Sequence, residues 1–223
     1  LISKSLPNID RLSGTRVRNE FELVLSEPNR VEMLRMSEEI GLLAAISPGL
    51  RIGTKALQVL SDQSEQEVAS TELPDLLAIT TFGLNEDESK QVVQRFDAPP
   101  AWGESITGNA QLAKHVAVLD QPNLAPSEVS DLLRAIPLAS ISAYILAGPP
   151  LPRRDKLVEY VEKIRFIKPE ITGDDLLEIG IPQGPIIGQL IDIVRRAKLD
   201  GKVSTKQEEI DLAKSRLPGF LTK

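Results

Sequence analysis

The sequence of 223 residues contains no cysteine, a single histidine and only 4% aromatic residues. The lack of cysteine excludes disulfide bonds and thiolate metal sites, and one histidine disfavours a histidine-based metal site or catalytic triad. No apolar run approaches the roughly 18 residues that a membrane-spanning helix needs, and the sequence opens without a secretory or transit signal. We therefore expect a cytoplasmic protein with no membrane partner.

Helical periodicity is the main pattern that is present. Apolar residues recur at helical spacing along nearly the whole chain, whereas the β-branched alternation of strands is missing. The pattern predicts an all-α fold, an elongated array of many helices separated by proline and glycine. The predicted helices cover about residues 13–25, 28–41, 54–68, 73–82, 86–96, 101–119, 126–135, 138–146, 153–167, 173–180, 186–200 and 204 onward.

The strongest internal boundary is the stretch Gly148-Pro-Pro-Leu-Pro152, because three prolines in five residues cannot continue a helix. The charge changes sign at this point. Residues 1–150 carry 12 Lys and Arg against 20 Asp and Glu, a net charge of −8, whereas residues 151–223 carry 14 against 12, a net charge of +2. We predict a first set of helices over 1–50, a helical body over 51–150 and a helical tail over 151–223, and the basic tail is where RNA could dock.

Basic residues in the tail are the candidates for RNA contact. They are Arg153, Arg154, Lys156, Lys163, Arg165 and Lys168, followed by Arg195, Arg196 and Lys198. On one helix Arg153, Lys156 and Lys163 share a face, so a basic stripe could face RNA phosphates. The alternative is a solvated face with an ordinary Glu159–Lys163 pair. Cations at the end of the later helix are stabilised by its dipole whether or not RNA is present.

Isolated aromatic residues have two interpretations as well. Trp102 could stack a base, as in single-strand binders, but an isolated aromatic more often anchors the start of a helix. Tyr144 and Tyr160 are expected in the core or at its boundary. Gly188, inside a predicted helix, suggests close approach of another helix or of RNA, with helix packing favoured.

Two segments carry a family resemblance. From Gly173 to Gly201 the sequence joins a short helix capped by Thr172, a Pro/Gly elbow and a helix with a basic last turn. Near the other end, Arg11-Leu-Ser-Gly-Thr-Arg-Val-Arg-Asn-Glu-Phe21 precedes Val31–Leu43, an amphipathic pattern ending in Gly-Leu-Leu. These segments resemble the neck motif and the C-terminal part of bacterial class II tRNA nucleotidyltransferases, the CCA-adding and poly(A) polymerase family.

The resemblance implies that catalysis belongs to an N-terminal head. The family's Gly-Gly loop, its pair of metal-binding aspartates and its nucleotide-selecting motif do not occur in this sequence. The adjacent pair Asp174-Asp175 is better explained as charge at a helix N-terminus. We expect this chain to be inactive by itself, with no catalytic or metal-binding residues and no cofactor, while Mg²⁺ and CTP or ATP belong to the head.

In the neck motif, Arg16 and Glu20 are spaced i,i+4 on one helix, and Arg18 lies on a different face. The resemblance places Arg16 at the family's motif arginine, which braces the neck against the head near the nucleotide pocket. Thr15 stands where the family usually has Glu, which departs from that pattern. The alternative for Arg16 and Glu20 is a surface ion pair that contributes a few tenths of a kcal/mol.

The functional expectation is the RNA-binding C-terminal portion of an enzyme that adds nucleotides to tRNA 3′ ends. Its expected partners are the acceptor arm and elbow of tRNA and the enzyme's own head. The alternative is a non-enzymatic all-α protein-interaction module. These differ in salt dependence, because only RNA binding should weaken steeply with ionic strength. Which nucleotides the enzyme adds is not encoded in these residues.

Overall fold

The computed structural model describes residues 6–149 and 152–217. All regular structure in these residues is helical, which confirms the all-α prediction. Short 3-10 helices cover Leu6–Arg11 and Ile164–Phe166. The α-helices are α1 Gly14–Ser26, α2 Arg30–Glu39, α3 Leu42–Ile46, α4 Thr54–Ser61, α5 Glu65–Ser70, α6 Leu73–Thr80, α7 Glu86–Arg95, α8 Pro100–Ala113, α9 Val116–Leu119, α10 Pro126–Leu133, α11 Leu138–Ala147, α12 Arg153–Glu162, α13 Gly173–Glu178, α14 Pro185–Leu199 and α15 Lys206–Arg216.

Several helices begin where the sequence places a capping residue. The Ser13 side chain accepts a hydrogen bond from the backbone N–H of Arg16 at 3.3 Å. Thr172 and Thr205 each form a capping box with the acidic residue three positions later, Asp175 and Glu208. Each box satisfies backbone N–H groups that the first helical turn otherwise leaves unpaired.

Three predicted helices are interrupted in the structure. The helix predicted over 153–167 ends at Glu162 and is followed by the 3-10 helix Ile164–Phe166. The helix predicted over 54–68 stops at Ser61, and Ser64 starts α5 with a capping box to Glu67. The helix predicted over 101–119 breaks at Lys114 and His115. The sequence pattern does not reveal such breaks. The helical spacing of apolar residues continues across them, because a turn of a few residues keeps the apolar side chains on the buried side.

The Gly-Leu-Leu sequence at 41–43 begins a helix and does not end one. Helix α2 stops at Glu39, and Gly41 adopts the left-handed conformation with φ 76°. Glycine adopts this conformation without the steric cost that a Cβ imposes. The chain therefore turns at Gly41, and Leu42 starts α3, which buries Leu43 and Ile46.

The residues form two compact units. One comprises the residues up to Asp120 together with Ile136–Arg154, and the other comprises Gln121–Ala135 together with the residues from Asp155 onward. The assignment of α10 to the second unit was not indicated by the sequence. The division into neck, body and tail stays a prediction, and its boundary includes Pro150 and Leu151, which lie outside the described residues.

The first unit has an aliphatic core with aromatic residues at its centre. Phe96 lies 5.2 Å from Phe21 and 5.8 Å from Trp102 between ring centroids, the latter pair edge to face. Arg30 is only 1% exposed and donates to the carbonyl of Leu25 and to the side chain of Gln63. The buried guanidinium thus joins the end of α1 to the segment after α4.

The second unit packs α13, α14 and α15 around a small aliphatic core. Its fully buried side chains include Leu176, Leu190 and Val194. Helix α10 joins α14 through charged and polar contacts, because Asp200 at the end of α14 accepts hydrogen bonds from the backbone N–H and the hydroxyl of Ser127. Asp200 therefore satisfies the first turn of α10.

No single helix in the described residues is long and apolar enough to cross a membrane, although α10 and α11 taken together as a bent pair meet the same length and composition criteria.

The capping carboxylates of the second unit predict a loss of stability in acid. A hydrogen bond from Lys206, together with those of the Thr172 cap, lowers the pKa of Asp175 to about 2, and hydrogen bonds from Ser204 and Thr205 lower the pKa of Glu208 to about 2. A depressed pKa in the folded state stabilises the fold above the unfolded pKa of about 4. We expect stability to fall as the pH drops from about 4 to about 2, measured by urea denaturation.

Replacing Lys206 tests the cause of this pH dependence. In Lys206→Met the pKa of Asp175 should rise toward its ordinary value, so the difference in denaturation midpoint between pH 5 and pH 2.5 should shrink. Lys214→Met is the control, since Lys214 is exposed and makes no ion pair within the described residues. An identical midpoint difference in both variants would contradict the assignment.

Candidate nucleic-acid interface

The neck motif fastens α1 to the turn between α7 and α8. Arg18 donates to the carbonyls of Phe96, at 3.4 Å, and of Asp97. The hydroxyl of Thr15 donates to the carboxylate of Asp97 at 3.3 Å. Asp97 itself has a φ of 46°, which is uncommon for a residue other than glycine. Arg18 therefore holds a strained turn inside the first unit.

Gly14 in the same motif allows close contact with that turn. A Cβ at this position would lie 2.8 Å from the carbonyl oxygen of Arg95 and 2.9 Å from the backbone nitrogen of Asp97. No side chain fits at these distances without displacing backbone. Gly14, Thr15 and Arg18 thus contact the turn at Asp97 inside the first unit. This contact accounts for these three residue types without a binding partner.

Arg16 and Glu20 do not form the surface ion pair that their spacing allows. Both side chains are exposed, and their charged groups are not within ion-pair distance of each other. The i,i+4 interpretation is therefore wrong for this pair. Arg16 is left facing solvent on α1, and its bracing contact with a head stays a prediction.

An apolar cleft of about 220 Å³ lies beside the neck motif. It is lined by residues of α1, α2, α3 and the preceding 3-10 helix, including Phe21, Leu34 and Leu43, with the exposed Glu20 among its lining residues. A cleft of this character accepts apolar groups and offers few hydrogen-bonding partners.

The basic stripe predicted on α12 does not form. Arg153 is only 8% exposed and makes an ion pair with Asp120. Lys163 lies beyond Glu162, where α12 ends, with a φ of −132° that is not helical. Lys156 donates to the carbonyl of Gln121. Three residues that share a face on a continuous helix thus have three different environments.

The remaining basic residues of this segment are more accessible. Arg154 is exposed and donates from Nε to the carbonyl of Ile145 at 3.0 Å. The Glu159–Lys163 pair of the alternative interpretation is absent, and neither Lys163 nor Lys168 makes an ion pair within the described residues. Both lysine side chains are exposed.

The basic cluster at the end of α14 is occupied by acidic partners. Arg195 contacts Asp131 at 2.6 Å and Asp192 at 3.0 Å, and its side chain is only 17% exposed. Arg196 also pairs with Asp131. These ion pairs join α14 to α10. They favour the structural interpretation over phosphate contact.

Lys198 has the most buried partner of the cluster. Its ammonium lies 2.8 Å from Glu170 and 2.7 Å from Glu209, whose side chain is fully buried. Glu209 also accepts the backbone N–H groups of Glu170 and Ile171. Burial alone would raise the pKa of Glu209, but the hydrogen bond from Lys198 and those from the two backbone N–H groups lower this pKa below its ordinary value. Hydrogen bonds to Glu170 and Glu209 in turn raise the pKa of Lys198.

The aromatic residues divide between core and surface. Trp102 is 6% exposed in the first turn of α8, which agrees with its interpretation as the anchor of a helix start. Tyr160 is also 6% exposed, which confirms its expected place in the core, and Tyr144 packs edge to face on Phe82 at 4.9 Å. Phe166, by contrast, is 62% exposed. Its exposure was not predicted, although the run Lys163-Ile-Arg-Phe-Ile-Lys168 interleaves an aromatic residue with three cations.

Gly188 is not a close-packing position. A Cβ at Gly188 would meet no atom within 4 Å, and the residue is exposed. The favoured helix-packing interpretation is therefore wrong. The sequence pattern could not separate the two cases, because a glycine in a helix has the same periodicity whether its missing side chain faces a neighbour or solvent.

Acidic residues in the described part of the chain do not cluster as a metal site. No group of three or more His, Asp or Glu side chains could hold a metal ion there. In the adjacent pair Asp174-Asp175, Asp175 accepts from the Thr172 cap and pairs with Lys206 at 2.7 Å. Its position in the first turn of α13 confirms the interpretation as helix N-terminal charge.

In the described residues the fold and these surfaces define an all-α scaffold with buried ion pairs and an exposed basic segment at residues 163–168. No family model matches the chain. It is 27% identical over 222 residues to the A-adding tRNA nucleotidyltransferase of Geobacter sulfurreducens, and 24% identical over 216 residues to the CCA-adding enzyme of Geobacillus stearothermophilus. Its structure is similar to the Thermotoga maritima CCA-adding enzyme complexed with tRNA, with a TM-score of 0.69 at 20% identity.

The similarity covers most of this chain but only part of each relative. It extends over 92% of the chain and 25% of the Geobacter protein, 94% and 52% for the Geobacillus enzyme, and 95% and 53% for the Thermotoga structure. The resemblance predicted from the two sequence segments is confirmed. The chain spans about half the length, or less, of the proteins that it matches.

The geometry around Lys198 predicts a stability effect. Lys198→Met should destabilise the second unit by about 3 kcal/mol, because it leaves the buried carboxylate of Glu209 without its counterion. Thermal or urea denaturation measures this loss. Lys168→Met is the matched control and should cost under about 1 kcal/mol, since its side chain is exposed and unpaired within the described residues. Equal effects in both variants would contradict the structural role of Lys198.

Proposed function

We propose that this chain is the tRNA-binding, C-terminal part of a tRNA nucleotidyltransferase whose catalytic head is not among these 223 residues. Similarity to an A-adding and a CCA-adding enzyme over nearly the whole chain supports this proposal. In the proposed arrangement the chain holds the acceptor arm and elbow of tRNA while the head adds nucleotides to the 3′ end.

One observation supports the RNA-binding role most directly. Lys163 and Lys168 remain exposed and free of carboxylate partners within the described residues, whereas Arg195, Arg196 and Lys198 in the same unit are all paired with acids. An unpaired cation on the surface can bind a phosphate without first giving up an ion pair. Such contacts position RNA and release counterions but do not read sequence.

Mg²⁺ and the nucleotides CTP or ATP are assigned to the head in this proposal. A two-metal site needs several carboxylates that converge on the ions. The donors of the described residues do not fit such a site, because Asp175 already accepts from its cap and from Lys206. We therefore assign no step of nucleotide transfer to this chain.

The neck has a complementary role in the proposal. Arg18 and Gly14 fix α1 to the turn at Asp97, so the exposed Arg16 is presented from a rigid helix. Arg16 then braces the neck against the head. The apolar cleft beside it is the observation that favours the alternative function, a protein-interaction module that binds an apolar partner.

Salt dependence tests the RNA-binding role. We expect the full chain to bind a tRNA transcript with an affinity that falls steeply with salt, measured by fluorescence anisotropy from 50 to 300 mM KCl. Lys163→Glu with Lys168→Glu should weaken binding and flatten the log-log slope by up to about two, because each phosphate contact contributes nearly one.

The matched control changes net charge equally in the first unit. Arg35→Glu with Lys55→Glu alters two exposed cations and should leave tRNA affinity nearly unchanged. Equal losses from the two double variants would mean that net charge alone matters. Binding that does not depend on salt would favour the protein-interaction module.

The isolated chain should not transfer nucleotides. With Mg²⁺ and labelled CTP or ATP, it should incorporate no label into tRNA that lacks its 3′ end, as resolved on a denaturing gel. The Geobacillus stearothermophilus CCA-adding enzyme serves as the positive control. Incorporation by homogeneous chain would overturn the assignment of catalysis to a separate head.

A further inference from the structure

The exposed ring of Phe166 takes no part in the lysine–phosphate contacts proposed for tRNA binding. Its exposed fraction is 62%, whereas the other aromatic side chains of the described residues are buried or half-buried. Burying a phenylalanine is favourable because its apolar surface leaves water. A ring left in solvent at this position is therefore available to a partner.

Neighbouring residues hold the Phe166 ring in a fixed position. Phe166 ends the 3-10 helix Ile164–Phe166, and Ile164 is 4% exposed, which anchors that helix in the second unit. Arg165 donates from Nε to the carbonyl of Val161 at 2.7 Å. Its guanidinium carbon lies 4.3 Å from the centroid of the Phe166 ring. Two planar groups are thus fixed together before any partner binds, which reduces the entropy lost on binding.

The charges around the ring fit a polyanion. Lys163, Arg165 and Lys168 lie within three residues of Phe166, and the segment 162–168 contains one carboxylate, that of Glu162. An apolar protein partner would need a wider exposed apolar surface. In the run 163–168, the exposed apolar side chain beside Phe166 is that of Ile167, at 37%. An unpaired nucleotide segment fits this surface, because its flat bases can stack on an aromatic ring and its spaced phosphates can pair with the cations.

We infer that the basic segment formed by residues 163–168 is a base-stacking contact for RNA. An unpaired base of the bound RNA stacks on Phe166, and Lys163 and Lys168 bind the phosphates on either side of it. This inference rests on the proposed tRNA binding and adds to it a contact that depends on the aromatic ring and not on charge alone.

The test compares Phe166 variants of the full chain in binding to a tRNA transcript at fixed salt. Phe166→Ala and Phe166→Leu should each weaken binding about tenfold, since stacking on an aromatic side chain contributes on that order per base. Phe166→Trp should retain the affinity. The salt slope should stay unchanged in all three variants, whereas Lys163→Gln with Lys168→Gln should flatten it.

Fluorescence provides a second readout. The chain has one tryptophan, Trp102, which is 6% exposed, so the emission added by Phe166→Trp reports on position 166. Stacking predicts that tRNA quenches this added emission. Leu23→Ala is the control for a lost exposed apolar side chain, because Leu23 is 59% exposed in the first unit, and it should leave affinity unchanged. Unchanged far-UV circular dichroism verifies folding.

The outcomes separate this inference from the proposed function. If the wild-type chain binds tRNA in a salt-dependent way and the Phe166 variants bind equally well, the stacking contact is wrong while tRNA binding stands. If Phe166→Leu binds like wild type while Phe166→Ala does not, the contact is apolar packing, which also overturns stacking. If the wild-type chain does not bind tRNA, both proposals fail.

Discussion

Short helices impose the constraint on which the rest of this structure depends. The described α-helices run from four residues in α9 to fifteen in α14. Isolated helices of such lengths are marginal in water, so each needs a buried face and satisfied ends. The fold meets both needs locally: capping boxes start α5, α7, α13 and α15. Two aliphatic cores then bury the apolar faces.

The same constraint determines where the charges of the second unit lie. Because few apolar side chains join these short helices, ion pairs connect their ends. Arg195 joins α14 to α10, and Lys198 joins α14 to Glu209. Much of the positive charge counted along the sequence is therefore paired with acids inside the unit. Among the described residues of this unit, exposed cations without acidic partners remain around the ring of Phe166 and at the end of α15.

The neck motif has an internal role in the structure, and we propose an external role for it as well. Gly14 and Arg18 act within the first unit by fixing α1 against the turn at Asp97, which has a strained backbone. Arg16, two residues from Arg18, points to solvent on the same helix. A residue that braces another part of a protein works best on a rigid element. The internal contacts thus support the external role that we propose for Arg16.

The sequence by itself determined the all-helical class, most helix starts and the resemblance to tRNA nucleotidyltransferases. These depend on local information: the spacing of apolar residues and capping residues such as Ser13, Thr172 and Thr205. Tertiary structure decided which cations are free. Arg153, Lys163 and Lys198 look alike in the sequence, yet one is buried against Asp120, one is exposed and one neutralises Glu209. Their partners lie 11 to 33 residues away where they exist, and periodicity along one helix carries no information about contacts at that distance.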